Sequence, residues 1–134
     1  MTFKTADLCD DNEARVQIAQ PGFLNYGARA RFYGEIVTIK LFEDNSLVRE
    51  QVNLPGEGRV LVVDGAASMR CALVGDQMAS AALENGWNGL LINGCIRDSA
   101  EIATMDIGVK ALATLPLKSV KRGIGELNVA INFH

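Results

Sequence analysis

A single histidine, His134, is all that this chain of 134 residues offers for imidazole chemistry, and it is the last residue. A Ser-His-Asp relay is therefore not expected, because that mechanism needs an imidazole held between a nucleophile and an orienting acid. The three cysteines, Cys9, Cys71 and Cys95, are odd in number, far apart and without a CxxC pair. They read as reduced thiols rather than as a disulfide framework or a zinc site. No stretch has GxGxxG or Walker spacing, so a nucleotide fold is unsupported. Basic excess is lacking too: 13 Lys and Arg stand against 16 Asp and Glu, for a net charge of -3. Nucleic-acid affinity rests on neutralising phosphates, so no direct nucleic-acid partner is expected. No basic-then-apolar leader opens the chain and its apolar runs stop at strand length, so neither a signal peptide nor a membrane span is expected. The expected compartment is the cytoplasm. Repeats, low-complexity tracts and linkers are missing as well.

What is present suits one globular domain over residues 1–134. Hydrophobic residues make up 49% and charged residues 22%, and a chain of this size buries roughly two thirds of its unfolded surface without staples. Thr5 to Asn12 reads as a short helix capped by Thr5 or Asp7. Ile36 to Leu41 is β-branched and bounded by Gly34 and Asp44-Asn45, so it reads as a strand. Asn45 is placed to cap a short helix carrying Leu47, Val48 and Val52, ended by Pro55-Gly56. Arg59 to Asp64 and Gly89 to Asn93 are apolar runs of the kind buried on both faces of a sheet. Between them Met78, Ala79, Ala82 and Leu83 recur at helical spacing, with Gly86 as the C-cap. Strand, helix and strand make a central βαβ unit with a right-handed crossover. Asp98-Ser99-Ala100-Glu101 has the capping-box pattern for a further helix. Strands are expected again at Val109 to Thr114 and Leu127 to Phe133. The fold class is α/β or α+β.

Ligands of such sheets collect beyond the carboxyl ends of parallel strands. Here those ends are the Gly65–Asp76 segment and the loop Gly94-Cys95-Ile96-Arg97-Asp98. Asp76 and Asp98 would each start a helix, aiming the backbone N–H groups of Gln77 and Met78 at one crevice. A helix N-terminus binds carboxylates, and Arg97 adds a planar fork for the same purpose. Asp98 and Asp76 supply hard oxygen ligands for a metal such as Mg²⁺. Together they suit a small anion with a second oxygen that a metal can chelate. Plainer roles compete with each of these: both aspartates as N-caps, Arg97 as a partner of Asp98 or of a helix C-terminus, and the glycines as turn and cap residues.

Asp76, twenty intervening residues and then Arg97-Asp98 reproduce the D/E-x20-R-D signature of the 4-hydroxy-4-methyl-2-oxoglutarate aldolases. Val62-Val63-Asp64-Gly65, Ala72-Leu73-Val74-Gly75-Asp76 and Asn85-Gly86-Trp87-Asn88-Gly89 resemble the same superfamily. Phe42-Glu43-Asp44-Asn45 and Arg122-Gly123-Ile124-Gly125 look like its RraA branch, the regulators of ribonuclease activity. The likeness runs from about Thr5 to Phe133. It implies a swivelling β/β/α fold and a homotrimer with sites near subunit boundaries. It also implies that Arg97 binds the substrate carbonyl and carboxylate, and that Asp98 ligates a divalent cation, Mg²⁺ or Mn²⁺. Gly75, Asp76, Gln77 and Met78 would offer backbone N–H groups to the substrate, and Asp76 would hold a water on the metal.

Three departures from the family stand out. Ala66 and Ala67 occupy positions where relatives often carry glycine, which would alter the loop's backbone angles. The chain stops at Asn132-Phe133-His134 in a strand pattern, whereas relatives continue through a further segment. The C-terminal glutamate that some aldolases lend to a neighbouring subunit's metal has no equivalent here. The implied activity is metal-dependent C–C cleavage of a small 2-oxo acid through a pyruvate enolate, by retro-aldol cleavage or by oxaloacetate decarboxylation. A Schiff-base route is less favoured, since no lysine lies in the two site loops and Lys110 and Lys118 fall beyond them. The rival class is a regulator that inhibits a ribonuclease by protein contact. A third reading is a scaffold with a vestigial anion site.

Overall fold

The computed structural model describes residues 2–133, so His134 lies outside it. Thr5–Asp11 forms α1, as the sequence predicts, but Lys4 stands at its N-cap and no side chain caps it. Leu24–Asn25 is β1, Ile36–Lys40 is β2 and Ser46–Val52 is α2. Val60–Asp64 is β3, and Ala72–Val74 is β4. Asp76–Glu84 forms α3, Gly89–Ile96 β5 and Ser99–Ile102 α4. Gly108–Thr114 is β6, and Glu126–Leu127 is β7. The last strand is thus shorter than the expected Leu127 to Phe133. The protein is a mixed α/β domain with one seven-stranded sheet, in the order β1-β6-β5-β3-β2-β7, with β4 paired to β5.

The inner strands β2, β3, β5 and β6 run parallel, and the two-residue strands β1 and β7 close the edges antiparallel. Such short edges leave little unpaired backbone for another chain. Val60 to Val63 are buried throughout, as a strand covered on both faces requires. By contrast β2 alternates, with Val37 and Ile39 inward and Ile36 outward. Phe32 lies across the starts of β5 and β6: a Cβ on Gly89 or Gly108 would come within 2.2 or 2.0 Å of its ring. Glycine is required there for space. Trp87 is buried after the αL residue Gly86, and its indole N–H donates to the Leu54 carbonyl at 3.1 Å. No helix among the described residues is long and apolar enough to cross a membrane.

The short strand β4, absent from the sequence reading, changes the central unit. On one side β5 pairs with β6 along most of its length. On the other, Val60 to Asp64 meet Gly89 to Asn93, and Ala72 and Val74 then meet Cys95 and Ile96. β4 therefore resumes the row that β3 leaves, and the strand feeding α3 is β4 rather than β3. The intervening turn folds onto β5, with the Gly65 and Ala67 N–H groups donating to the Asn93 carbonyl at 3.1 Å each. Ala66 and Ala67 adopt φ of 56° and 58°, a left-handed conformation that glycine would take without steric cost. Their departure from the family pattern thus falls where backbone angles matter, although the turn does not line the crevice described next.

Candidate active site

β4 and β5 end side by side. Val74 pairs with Ile96, and the Arg97 N–H donates to the Val74 carbonyl at 2.9 Å. Gly75-Asp76 and Arg97-Asp98 therefore leave neighbouring parallel strands at one level, where ligands of such sheets bind. The intervening residues 77–96 are spent on α3, its turn and β5. Gly75 permits the close approach. A Cβ there would lie 2.8 Å from Asp98 Oδ2 and 3.3 Å from Arg97 Nε.

Asp98 does not cap its own helix, which corrects the capping-box expectation. It sits in left-handed conformation at φ 58° with no side-chain bond to α4. Its Oδ2 instead accepts the Asp76 N–H at 3.0 Å, across the gap at the start of α3. The conformation costs roughly 1–2 kcal/mol, and aspartate is among the few residues that tolerate it. Asp76 is not a cap either. Gly75 holds that place, and Asp76 Oδ1 accepts the Gln77 N–H at 2.9 Å. The Gln77 N–H thus has its partner in the neighbouring carboxylate. The Met78 N–H has no acceptor among the described residues and remains at the positive end of α3.

Arg97 keeps most of its donors. Its Nε stands 4.0 Å from Asp98 Oδ2, and Nη1 reaches the Pro116 carbonyl only at 3.4 Å, with the side chain 41% exposed. Simple pairing with Asp98 therefore does not consume it. Gly75, Asp76, Gln77, Met78, Arg97 and Asp98 all line one open cleft of about 440 Å³. The residues singled out from the sequence are brought together.

Others were missed. Asn45, Arg49 and Asn53 form a further wall, and Lys118 and Lys121 complete it. Lys118 returns because the Ala72 N–H donates to the Leu117 carbonyl at 2.7 Å and Ala72 bridges Lys118 in parallel. It is exposed, unlike the desolvated lysines that form Schiff bases. Asn45 stands at the N-cap of α2 but does not cap it with its side chain. Its Nδ2 donates to the Leu73 carbonyl at 2.9 Å, and its Oδ1 is buried without a partner among the described residues.

The start of α2 is fastened by Asp44 instead. Asp44 Oδ1 accepts the Ser46 N–H at 2.9 Å and hydroxyl at 2.6 Å, while Oδ2 accepts the N–H groups of Arg122 at 2.8 Å and Ile124 at 3.1 Å. Burial pushes this carboxyl up, but the Ser46, Ile124 and Arg122 donors together outweigh it and hold the pKa at about 2. The two segments that look like the RraA branch thus meet through one side chain.

Among the described residues no three His, Cys, Asp or Glu side chains cluster tightly enough to hold a metal by themselves. A closed zinc-type centre does not fit that donor set. One or two carboxylates completed by water and substrate oxygens do fit a hard octahedral cation. Asp98 Oδ1 and Asp76 Oδ2 accept no hydrogen bond among the described residues, so each carboxylate has an oxygen to give.

The RraA-like family model, Aldolase/RraA, matches residues 5–134. A protein of Alkalilimnicola ehrlichii named "Putative 4-hydroxy-4-methyl-2-oxoglutarate aldolase" is 57% identical over 99% of this chain and 83% of its own. One of Laribacter hongkongensis with the same name is 58% identical over 99% and 84%. Among solved structures, a Geobacillus kaustophilus protein described as S-adenosylmethionine:2-dimethylmenaquinone methyltransferase superposes with a TM-score of 0.95. Its identity is 50%, over 98% of this chain and 81% of its own. The RNA-processing inhibitor RraA from Thermus thermophilis gives 0.92 at 43% identity, over 96% and 78%. Three different activities are attached to one fold, so function has to be argued from the site. By sequence and by structure, this chain belongs to the RraA-like family, Aldolase/RraA.

Proposed function

We propose that this chain is a divalent-metal-dependent C–C lyase that forms pyruvate from small 2-oxo acids. The reactions are retro-aldol cleavage of 4-hydroxy-4-methyl-2-oxoglutarate, oxaloacetate decarboxylation, or both. The aldolase names of the relatives at 57% and 58% identity support this class. The observation that carries it is Asp98: its carboxylate turns away from its own helix, lies beside Arg97 and keeps one oxygen free at the cleft. A pure binding surface has no need of that arrangement.

Arg97 receives the 2-oxo carboxylate and the ketone oxygen through its planar donors, and the Met78 N–H at the start of α3 adds a further contact. Asp98, helped by Asp76, would hold Mg²⁺ or Mn²⁺, which when bound supplies Lewis-acid polarisation of the ketone. Breaking the C3–C4 bond leaves its electron pair on the three-carbon fragment as the pyruvate enolate. Arg97 stabilises the negative oxygen as it develops. In the retro-aldol reaction the C4 hydroxyl must lose its proton, Asp76 orients the water that takes it, and the enolate regains a proton at C3 to leave as pyruvate. Decarboxylation releases CO₂ to the same enolate without that base, so it is the less demanding reaction. The test is pyruvate release from both substrates with Mg²⁺ or Mn²⁺, with and without chelator. Turnover that stops on chelation is expected; turnover of neither substrate in metal-loaded protein overturns the reading.

Residues 1–134 act as one RraA-like domain, and we assign it a homotrimeric assembly. Phe42, Leu117, Val120 and Ile124 are 61%, 63%, 59% and 64% exposed around a second cleft, an apolar patch suited to another copy of the chain. Light scattering should give three times the monomer mass, and a stable monomer would contradict it. The likeness to an RNA-processing inhibitor supports the second reading, a regulator that inhibits a ribonuclease by protein contact. Inhibition of a ribonuclease by metal-free protein would favour that reading.

A further inference from the structure

We propose that the cleft carries a second anion subsite, built from Arg49, Lys118 and Lys121, that takes the distal carboxylate of a dicarboxylic 2-oxo acid. The inference rests on the function proposed above and assigns its substrate specificity to residues outside the signature. All three cations line the cleft of Asp76, Arg97 and Asp98, but they come from other parts of the chain. Arg49 belongs to α2, and the lysines to the segment after β6.

Charge comes first. Four cationic side chains and two aspartates line this cleft, in a chain whose net charge is -3. The local excess is therefore opposite in sign to the whole molecule, as a site for a multiply charged anion requires. Arg49, Lys118 and Lys121 form no ion pair among the described residues. Their charge is left for a ligand.

Placement comes second. The segment bearing the lysines is tied down at three points. The Leu117 carbonyl accepts from Ala72 at 2.7 Å, Ser119 Oγ accepts from the Asn45 N–H at 3.2 Å, and the Arg122 N–H donates to Asp44 at 2.8 Å. Lys118 and Lys121 project from a backbone fixed against α2 and β4, so a ligand has no loop to order first. The volume agrees: about 440 Å³ falls within the roughly 300–1,000 Å³ of pockets for drug-sized ligands. A three-carbon acid held at Arg97 would leave the far end open.

The test uses two ligands that share the 2-oxo acid end and lack the cleavable C4 hydroxyl: 2-oxoglutarate, with a distal carboxylate, and 2-oxobutyrate, without one. Calorimetry on the Mg²⁺-loaded protein should show 2-oxoglutarate binding about tenfold tighter or more, with the preference shrinking at high salt because the lysines are exposed. Neutralising all three cations together (Arg49→Gln, Lys118→Gln, Lys121→Gln) should collapse the preference to about threefold or less, in protein shown by its melting temperature to be folded. Lys121→Arg alone, which keeps the charge, should retain it. A preference that survives neutralisation overturns the inference. Equal binding of both ligands by the wild type overturns it too, while leaving the lyase reading intact. Binding of neither overturns both.

Discussion

Asp44 and Asp98 stand shortly before helices, yet the fold uses their carboxylates in opposite ways. Asp44 is 3% exposed, and its oxygens receive four hydrogen bonds from Ser46, Arg122 and Ile124. Its lone pairs are spent on joining α2 to a segment almost eighty residues away. The Asp98 side chain is 36% exposed, receives one backbone hydrogen bond, and is held in a left-handed conformation of real cost. A carboxylate filled by backbone donors is a fastener. One that keeps an oxygen at a cleft, on a strained residue, is available to a ligand.

Substitutions can break this comparison. The largest effect is expected at Arg97, on the ligand side. Arg97→Ala should cost about 10²–10³ in turnover, or about 2.7–4 kcal/mol, as removal of a preorganised electrostatic donor does. Arg97→Lys should recover only part, because an ammonium cannot make the planar two-point contact. Steady-state kinetics beside urea unfolding decide it: a loss of stability in place of turnover would make Arg97 another fastener.

Asp44→Ala should act in the opposite sense, lowering stability by about 2–4 kcal/mol because charged hydrogen bonds are lost and buried donors orphaned. The same carboxylate gives a pH signature. Its folded pKa of about 2 lies below the ordinary aspartate value, so its contribution is complete above about pH 4 and is lost as pH falls toward 2. The wild type should lose on the order of 2 kcal/mol through this group over that interval. Urea titrations at pH 6 and pH 3 should read about half of that loss, on the order of 1 kcal/mol, and Asp44→Asn should flatten the difference. The smallest effect sharpens the contrast between strain that serves a site and strain that does not. Ala67, at φ 58°, touches no ligand cleft, so Ala67→Gly should stabilise by about 0.5–1 kcal/mol, read as a raised melting temperature.

Much of the site was legible because its parts lie on regular elements whose periods show in sequence. The buried runs at Val60 and Leu90, the helix from Asp76 and the position of Arg97 place both loops at parallel strand ends. β4 was not legible: three residues, Ala72 to Val74, are too few to show a period. The roles of the aspartates were misread for a related reason. Capping is a local rule, and the competing partner of Asp98 is the Asp76 N–H, reached only through β4–β5 pairing. Lys118 and Lys121 return to the cleft because their neighbours Leu117 and Arg122 bond to the Ala72 N–H and the Asp44 carboxylate, partners that no spacing reveals. Ala66 and Ala67 were flagged by resemblance alone, since nothing in alanine itself signals positive φ.

The most direct test of Asp98 as the ligand-bearing carboxylate is calorimetric titration of Mn²⁺ into wild-type and Asp98→Asn protein, with melting temperatures in parallel. Asparagine keeps the shape, tolerates the left-handed conformation and still accepts the Asp76 N–H, so it removes the charge and little else. The expected result is metal affinity weakened about tenfold or more with the melting temperature almost unchanged. Equal affinity in the two proteins would contradict the assignment and leave Asp98, like Asp44, a fastener of the fold.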